Sequence, residues 1–329
     1  MKRLNRTISV FVFALATVLV ASNAAAQNTP EEKPSEKGVS YGKESKAHWR
    51  VGVQVTASKG PMQSVLATVP VPISWPEQKI RLIDEDISRG VRVKQRNLNG
   101  VRQLVISMGR IPNGATAHAL YTIEVTRKEI LAPKDTSVFK IPRKAPRDIK
   151  RWLNGSPYIE SRDSKIRSLA RETTKEVDGD WEKVEAIYEF VRENIEYQEG
   201  KIKTTTRALK DGVGDCEELT SVFIAMCRAS KVPARMVWVP DHCYPEFYLQ
   251  DDDGEGHWFP CQAAGTRAFG SMPEMRPILQ KGDNFKVPEK NKPQRYVAEH
   301  VSAKPVRGSG KPRVTFVREY VQPKGSGAP

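Results

Sequence analysis

Between residues 45 and 135 the chain alternates apolar and polar residues in short runs. His48 to Thr56 alternates around Val51, Val53 and Val55, and Ser64 to Val71 is β-branched and apolar until Pro70, Pro72 and Pro76 break it. Val91 to Leu98 and Val101 to Met108 flank Asn99-Gly100, and Ala117 to Arg127 alternates again. A period of two is that of a strand with one buried face. Asn-Gly between two such runs is a strong hairpin signal. The pattern predicts a small all-β sandwich over residues 45–135. His118 alternates with apolar neighbours there and reads as a satisfied packing residue.

The period changes after a basic, proline-containing connector, Thr136 to Pro146. Arg147 to Leu153 predicts a short helix that Asn154-Gly155 stops. Ile166, Leu169, Ala170 and Val177 fit one face of a helix, and Asp180 is placed to cap another whose stripe is Trp181, Val184, Ile187, Tyr188, Val191 and Ile195. Lys201 to Val213 reads as a loop. A further helix runs from Cys216 to Ala229 with Leu219, Val222, Phe223 and Met226 inward. Val232-Pro233-Ala234-Arg235 ends it and opens a strand to Val239. His242 to Leu249 and His257 to Gln262 read as two more strands, joined by a turn at Asp251 to Gly256. That acidic turn lacks the spacing and the final glutamate of a calcium loop. Residues 136–280 therefore predict an α+β core. From Lys281 the chain is rich in Lys, Pro and Gly. The segment 281–329 is expected to be a basic extension with one strand, Arg313 to Val321, and a disordered tail.

The N-terminal segment follows a different logic. A basic start through Arg6, an apolar run from Ile8 to Ala21 and Ala24-Ala25-Ala26 have the form of a secretory signal peptide over residues 1–26, cut before Gln27. A retained N-terminal anchor is the alternative, although the run is short for a span. The polar segment 27–44 reads as a disordered linker. The mature chain is expected to be exported, periplasmic or extracellular, with no stable membrane insertion. Hydrophobic residues make up 39% of the chain, enough for a real core, and the formal charge is +14. No nucleic-acid motif accompanies that charge. It fits a solvated basic surface, with anionic cell-envelope polymers as possible partners.

The four cysteines, Cys216, Cys227, Cys243 and Cys261, lie in one short region. Clustering points to a site rather than a stapled scaffold. Asp215-Cys216-Glu217-Glu218 has capping-box form, which puts Cys216 in the first turn of its helix. There the helix dipole and free N–H groups favour a thiolate and can hold an oxyanion, while Asp215, Glu217 and Glu218 oppose it. A base is therefore required, and His242 followed by Gln262 can supply a base and a group that orients it. If His242 stands opposite Gln262 in an antiparallel pair, Cys243 faces Cys261 on the other side of the sheet. Those two form either a cross-strand disulfide or two buried free thiols. Cys227 reads as a small core residue. Paired ligand spacing for zinc is absent, so no metal is expected, and His257 points away from Gln262.

Gly214-Asp215-Cys216, Val232-Pro233-Ala234-Arg235, His242-Cys243-Tyr244-Pro245-Glu246-Phe247-Tyr248 and Trp258-Phe259-Pro260-Cys261-Gln262 together resemble the transglutaminase-like superfamily, relatives of papain-type cysteine enzymes. The resemblance covers roughly residues 147–265. It implies a helix carrying the cysteine packed on an antiparallel sheet, Cys216 as nucleophile, His242 as base and no cofactor. Asp215, Glu246 and Trp258 are expected to support the site, with Glu246 on the same strand face as His242 and able to supply charge there. The family's third residue is an aspartate, and here it is Gln262. A glutamine oxygen can fix the imidazole but brings no charge. The resemblance implies a thiol-dependent acyl-transfer enzyme acting on a protein or peptide, a peptidase or amidase where water is the acceptor and a transglutaminase where it is a lysine amine, with hydrolysis the preferred reading; the alternative is a weak or inactive module that binds anionic envelope or protein partners.

Overall fold

The alternating segments pair as antiparallel strands because each has one apolar face to bury. The computed structural model describes residues 38–322. The expected signal segment 1–26, most of the expected linker and the last seven residues lie outside the described residues. Strands β1 (Ser40–Thr56), β2 (Met62–Val71), β3 (Gln78–Ile87), β4 (Arg92–Asn97), β5 (Arg102–Met108) and β6 (Thr116–Leu131) come first. The core region contributes a 3₁₀ turn (Lys150–Leu153), α1 (Ser164–Thr174), α2 (Asp180–Asn194), β7 (Glu196–Tyr197), α3 (Thr205–Asp211), β8 (Val213–Gly214), α4 (Cys216–Ala229), β9 (Ala234–Val239), β10 (His242–Gln250), β11 (Gly256–Pro260) and β12 (Gln280–Lys281). β13 (His300–Pro305) and β14 (Arg313–Val321) end the described chain.

Two four-stranded antiparallel sheets, β14-β1-β6-β3 and β13-β2-β5-β4, form the sandwich. Trp49, Val51, Val53 and Val55 of β1 meet Val65, Ala67 and Val69 of β2, Leu104 and Ile106 of β5 and Tyr121, Ile123 and Val125 of β6 in one apolar core. Asn99 and Gly100 take left-handed φ values of 52° and 120° between β4 and β5, as the hairpin requires.

Three expectations for this region need correction. β1 begins at Ser40, so the end of the expected linker is strand, paired Ser40 with Leu131 and Tyr41 with Ile130. Its polar residues are held by the β6 ladder rather than by a buried face. β3 escaped the pattern because it is an edge strand with most of its side chains exposed. The C-terminal extension holds two strands, not one. β13 pairs with β2 and β14 with β1, so the end of the chain completes both sheets.

In the core region α4 packs on the sheet β11-β10-β9-β12. It is buried on nearly every side from Glu218 to Arg228. Its Val222, Phe223 and Met226 join the predicted α2 stripe, Trp181, Val184, Ile187, Tyr188 and Val191, in a second core. Gly179, not Asp180, is the N-cap of α2. Asp180 is the first helical residue, and its Oδ2 accepts the Ile141 N–H at 2.8 Å. Val177 falls beyond the end of α1, and α3 occupies part of the expected loop 201–213. Among the described residues, no helix is long and apolar enough to cross a membrane.

The seam between sandwich and core is polar. Lys281 Nζ of β12 bridges Glu77 Oε1 and Glu246 Oε1, each at 2.5 Å, and Arg235 Nη2 holds the other Glu246 oxygen at 2.8 Å. Arg127 of β6, almost fully buried, donates to the carbonyls of Glu77, Glu274 and Arg276. The Lys281 N–H donates to the Gly100 carbonyl at the hairpin. A Cβ on Gly100 would sit 1.9 Å from the Lys281 oxygen, so this approach requires glycine. Residues just past 280 therefore belong to the core. Asp283, for example, forms a fully buried pair with Arg228 at 2.8 Å.

Candidate active site

Cys216 opens α4 as the sequence predicts, and the capping box is complete. Asp215 Oδ1 accepts the Glu217 N–H at 2.7 Å, and Glu218 Oε2 accepts the Asp215 N–H at 3.0 Å. Asp215 is thus a structural cap, and its bond goes to Glu217 rather than to the Cys216 N–H. Gly214 lets the chain enter the helix this way, because a Cβ there would sit 2.4 Å from the Glu218 Cβ. The flanking carboxylates are occupied. Glu217 pairs with Arg295 Nε at 3.0 Å, and Glu218 Oε1 accepts the Lys203 N–H at 2.7 Å. Burial raises both carboxyl groups above their ordinary range, which weakens their opposition to a thiolate.

His242 begins β10. Its Nε2 lies 3.1 Å from Gln262 Oε1. With the ring proton on Nε2, the imidazole donates to the amide oxygen, and Nδ1 remains as the nitrogen available to the thiol. Gln262 is itself anchored. Its carbonyl accepts from the Tyr188 hydroxyl at 2.9 Å and from Arg192 Nη1 at 3.1 Å, and its N–H donates to the Ala268 carbonyl at 2.8 Å. Tyr188 was legible in the sequence only as a core residue; its hydroxyl also positions the third site residue.

The half-buried Cys216 thiol is lowered to about 5. The largest cause is a hydrogen bond from the Cys243 thiol; burial opposes it, and a hydrogen bond and the charge of His242 add to it. Burial lowers His242, but hydrogen bonds to Cys216 and Gln262 and the Cys216 charge outweigh it and raise the imidazole above its ordinary value. The two groups therefore favour a thiolate–imidazolium pair.

The sheet register differs from the expected one. Glu246 pairs with Pro260 and Tyr248 with Trp258, so β11 is displaced by two residues from a His242–Gln262 pairing. A shift of two keeps side-chain parity, and the His242–Gln262 contact forms through the side chains beyond the end of the paired segment. The same shift separates Cys243 from Cys261. Cys243 pairs with Trp238 on β9, and the Cys261 N–H donates to the Pro245 carbonyl. All four cysteines are free thiols, so the disulfide alternative is not realised.

Two expected supporting residues sit elsewhere. Glu246 is buried between Arg235 and Lys281, and Trp258 lies under the Arg235 guanidinium, 3.9 Å from ring centroid to carbon. Both brace the sheet and the seam. The turn residue Asp251 accepts the Asp253 and Glu255 N–H groups, and its other oxygen lies 2.9 Å from His257 Nε2, beside Phe139. His118 is satisfied by Ser88 and Asp86. Among the described residues, the two acidic groupings with metal-binding geometry centre on Asp251 and include no cysteine. Sequence reasoning missed Cys243 as a neighbour of Cys216 and Arg276, whose charge lowers His242 and whose Nη1 donates to the Pro240 carbonyl.

Residues 167–263 match the model of the transglutaminase-like superfamily. The chain is similar to a candidate cysteine protease from Cytophaga hutchinsonii, at 17% identity over 84% of this chain and 99% of that one, with a TM-score of 0.53. It also aligns with the periplasmic domain of TgpA from Pseudomonas aeruginosa, at 13% identity over 66% of this chain and 86% of that one, with a TM-score of 0.31. No curated protein gives a significant match. Residues 167–263 thus match the transglutaminase-like superfamily model, and the sandwich followed by a cysteine helix on an antiparallel sheet is a fold similar to that of the candidate cysteine protease.

Proposed function

We propose that the chain is an exported cysteine-dependent enzyme that cleaves amide bonds in a protein or peptide through an acyl-enzyme. The observation that carries this reading is Gln262 Oε1 at 3.1 Å from His242 Nε2, with Cys216 at the head of α4 lowered to about 5 and the imidazole raised by its interaction with that thiol. The Cys216 thiolate attacks the carbonyl carbon. The oxygen takes the electron pair beside the first-turn N–H groups of α4, including that of Cys216. The tetrahedral intermediate collapses as imidazolium His242 gives its proton to the departing amine, leaving a thioester and neutral His242. Water then attacks the thioester with His242 as base, and the acid product leaves. Gln262 holds the ring throughout. A neutral amide suffices there because the thiolate itself supplies the charge that stabilises the imidazolium.

Export rests on the signal-like pattern through Ala26, which lies outside the described residues. A second reading is favoured by one observation, the neutral Gln262 in place of the family's aspartate. In it the fold serves as a binding module for anionic envelope polymers or proteins, using the net charge of +14. Profiling amide cleavage across peptide, isopeptide and peptidoglycan-fragment libraries, with Cys216→Ala as control, separates the two. Cleavage that disappears in the variant supports the enzyme, and binding without cleavage in both chains supports the module.

A further inference from the structure

The basic stretch that follows the sandwich has no part in the thiol chemistry. Residues 143–167 hold eight basic residues, five of them arginines, against three acidic ones. All eight basic side chains are exposed, and none forms a salt bridge among the described residues. Two of the acids are engaged by neutral donors instead. Glu160 Oε2 accepts the Thr206 N–H at 2.9 Å and the Thr206 hydroxyl at 2.6 Å, and Asp163 Oδ1 caps α1 by accepting the Lys165 and Ile166 N–H groups. The guanidinium groups are likewise held by neutral partners. Arg162 Nη2 donates to Asn154 Oδ1 at 2.8 Å, and Arg167 Nε and Nη2 donate to the Arg162 carbonyl at 3.0 and 2.6 Å. Arg151 Cζ lies 4.4 Å from the centre of the Trp152 ring. Such partners fix the planar forks without cancelling their charge. The backbone beneath is tied down as well. Lys140 and Gln250 exchange N–H to carbonyl bonds at 2.7 and 2.9 Å, and the Pro146 carbonyl accepts the Ile149 and Lys150 N–H groups.

We propose that residues 143–167 form a docking surface for a cell-envelope polymer that bears phosphate groups. Phosphate suits the face because an arginine fork binds two of its oxygens at once. Ile149, Trp152, Ile159 and Ile166 are buried, so the stretch has no apolar anchor to insert into a bilayer. Its one exposed ring, Tyr158, lies under the Arg295 guanidinium at 5.6 Å, which leaves no row of rings for nucleotide bases to stack on. The face is also remote from the thiol. Arg228 Nη1 donates to the Asn154 carbonyl at 2.8 Å, and Arg228 lies in the last turn of α4, about 18 Å along the helix axis from Cys216. Docking there rests on neither reading of the thiol site, and it gives an anionic partner a defined place on the molecule.

The test uses labelled inorganic polyphosphate as the probe and the intact chain. Binding is followed by fluorescence anisotropy from about 50 to about 200 mM salt. Wild type is compared with a patch variant, Arg143→Gln, Arg147→Gln and Lys150→Gln, and with a control on the sandwich, Arg89→Gln, Arg92→Gln and Lys94→Gln. All six side chains are exposed, and the two variants carry the same net charge. Wild type should bind, and more weakly as salt rises. The patch variant should lose affinity about tenfold or more, with a salt slope shallower by about two, the share of three phosphate contacts. The control should bind like wild type. Equal loss in both variants would reduce the effect to net charge and overturn the docking surface. Absence of wild-type binding overturns it too, as does patch-dependent binding to single-stranded DNA or phosphatidylglycerol vesicles at least as tight as to polyphosphate. Amide turnover on a short peptide, measured on the same chains, should be unchanged in the patch variant. Turnover absent from wild type while polyphosphate binding and its patch dependence persist sinks the enzyme reading alone.

Discussion

The two ends of β10 use ionisable groups in opposite ways. At its start His242 and Cys243 surround a half-buried thiol whose proton is loosely held. Four residues on, Glu246 is fully buried, and its carboxylate is lowered despite the cost of burial because Lys281 and Arg235 clamp it. The same strand thus carries one site prepared to change charge and one whose charge is locked. The difference lies in partners. Glu246 has a cation on each oxygen and no route to solvent, so its ionisation only holds structure. Cys216 is half-buried and carries no such clamp, so it stays open to a substrate. This also explains why Glu246 cannot stand in for the missing aspartate. Its charge is spent on tying the core to Glu77 of the sandwich through Lys281.

The comparison can be broken most decisively at the thiol. Cys216→Ala should cut amide turnover by up to about 10⁶-fold while leaving the urea midpoint close to wild type. Turnover and unfolding measured on the same preparation check both halves. At the other end, Lys281→Ala strands Glu77 and leaves Glu246 with one cation. It should cost about 3–5 kcal/mol in denaturant unfolding, with the pH midpoint of Cys216 alkylation unmoved. An altered Cys216 midpoint would mean that the two ends are coupled.

Gln262→Ala should lower turnover about tenfold, the worth of one orienting hydrogen bond. Gln262→Asp should instead raise His242 further. In the wild type, activity should rise as pH climbs through about 5, where Cys216 ionises, and fall as pH climbs through the raised value of His242, where the imidazolium proton is lost. Gln262→Asp should move only the alkaline limb, and upward. A pH profile of turnover on a single peptide reads both limbs. The smallest effect is expected at Trp258→Leu, which removes the ring under Arg235 and should cost roughly 1 kcal/mol of stability with turnover retained.

Much of this is legible in the sequence. Two periodicities separated sandwich from core, because strands and amphipathic helices each need a face to bury. The limits of α4 follow from a local cap, and the order of Cys216, His242 and Gln262 follows from a four-block pattern. Errors fell where local chemistry is uninformative. β3 and the start of β1 are held by ladder hydrogen bonds that leave no hydrophobic signature, and the two-residue shift of β11 follows from where pairing ends at Pro260.

Sequence alone determined which residues could carry chemistry, since a cysteine at a helix start, a histidine on a strand and an amide beyond it are read from order and spacing. Only the tertiary structure decided who touches whom. It turned Glu246 into a seam residue and left Cys243 and Cys261 as separate thiols. It also set Cys243 against Cys216 and sent β13 and β14 back to close the sandwich. Those outcomes depend on register and on contacts between distant segments, and no local pattern in the chain encodes them.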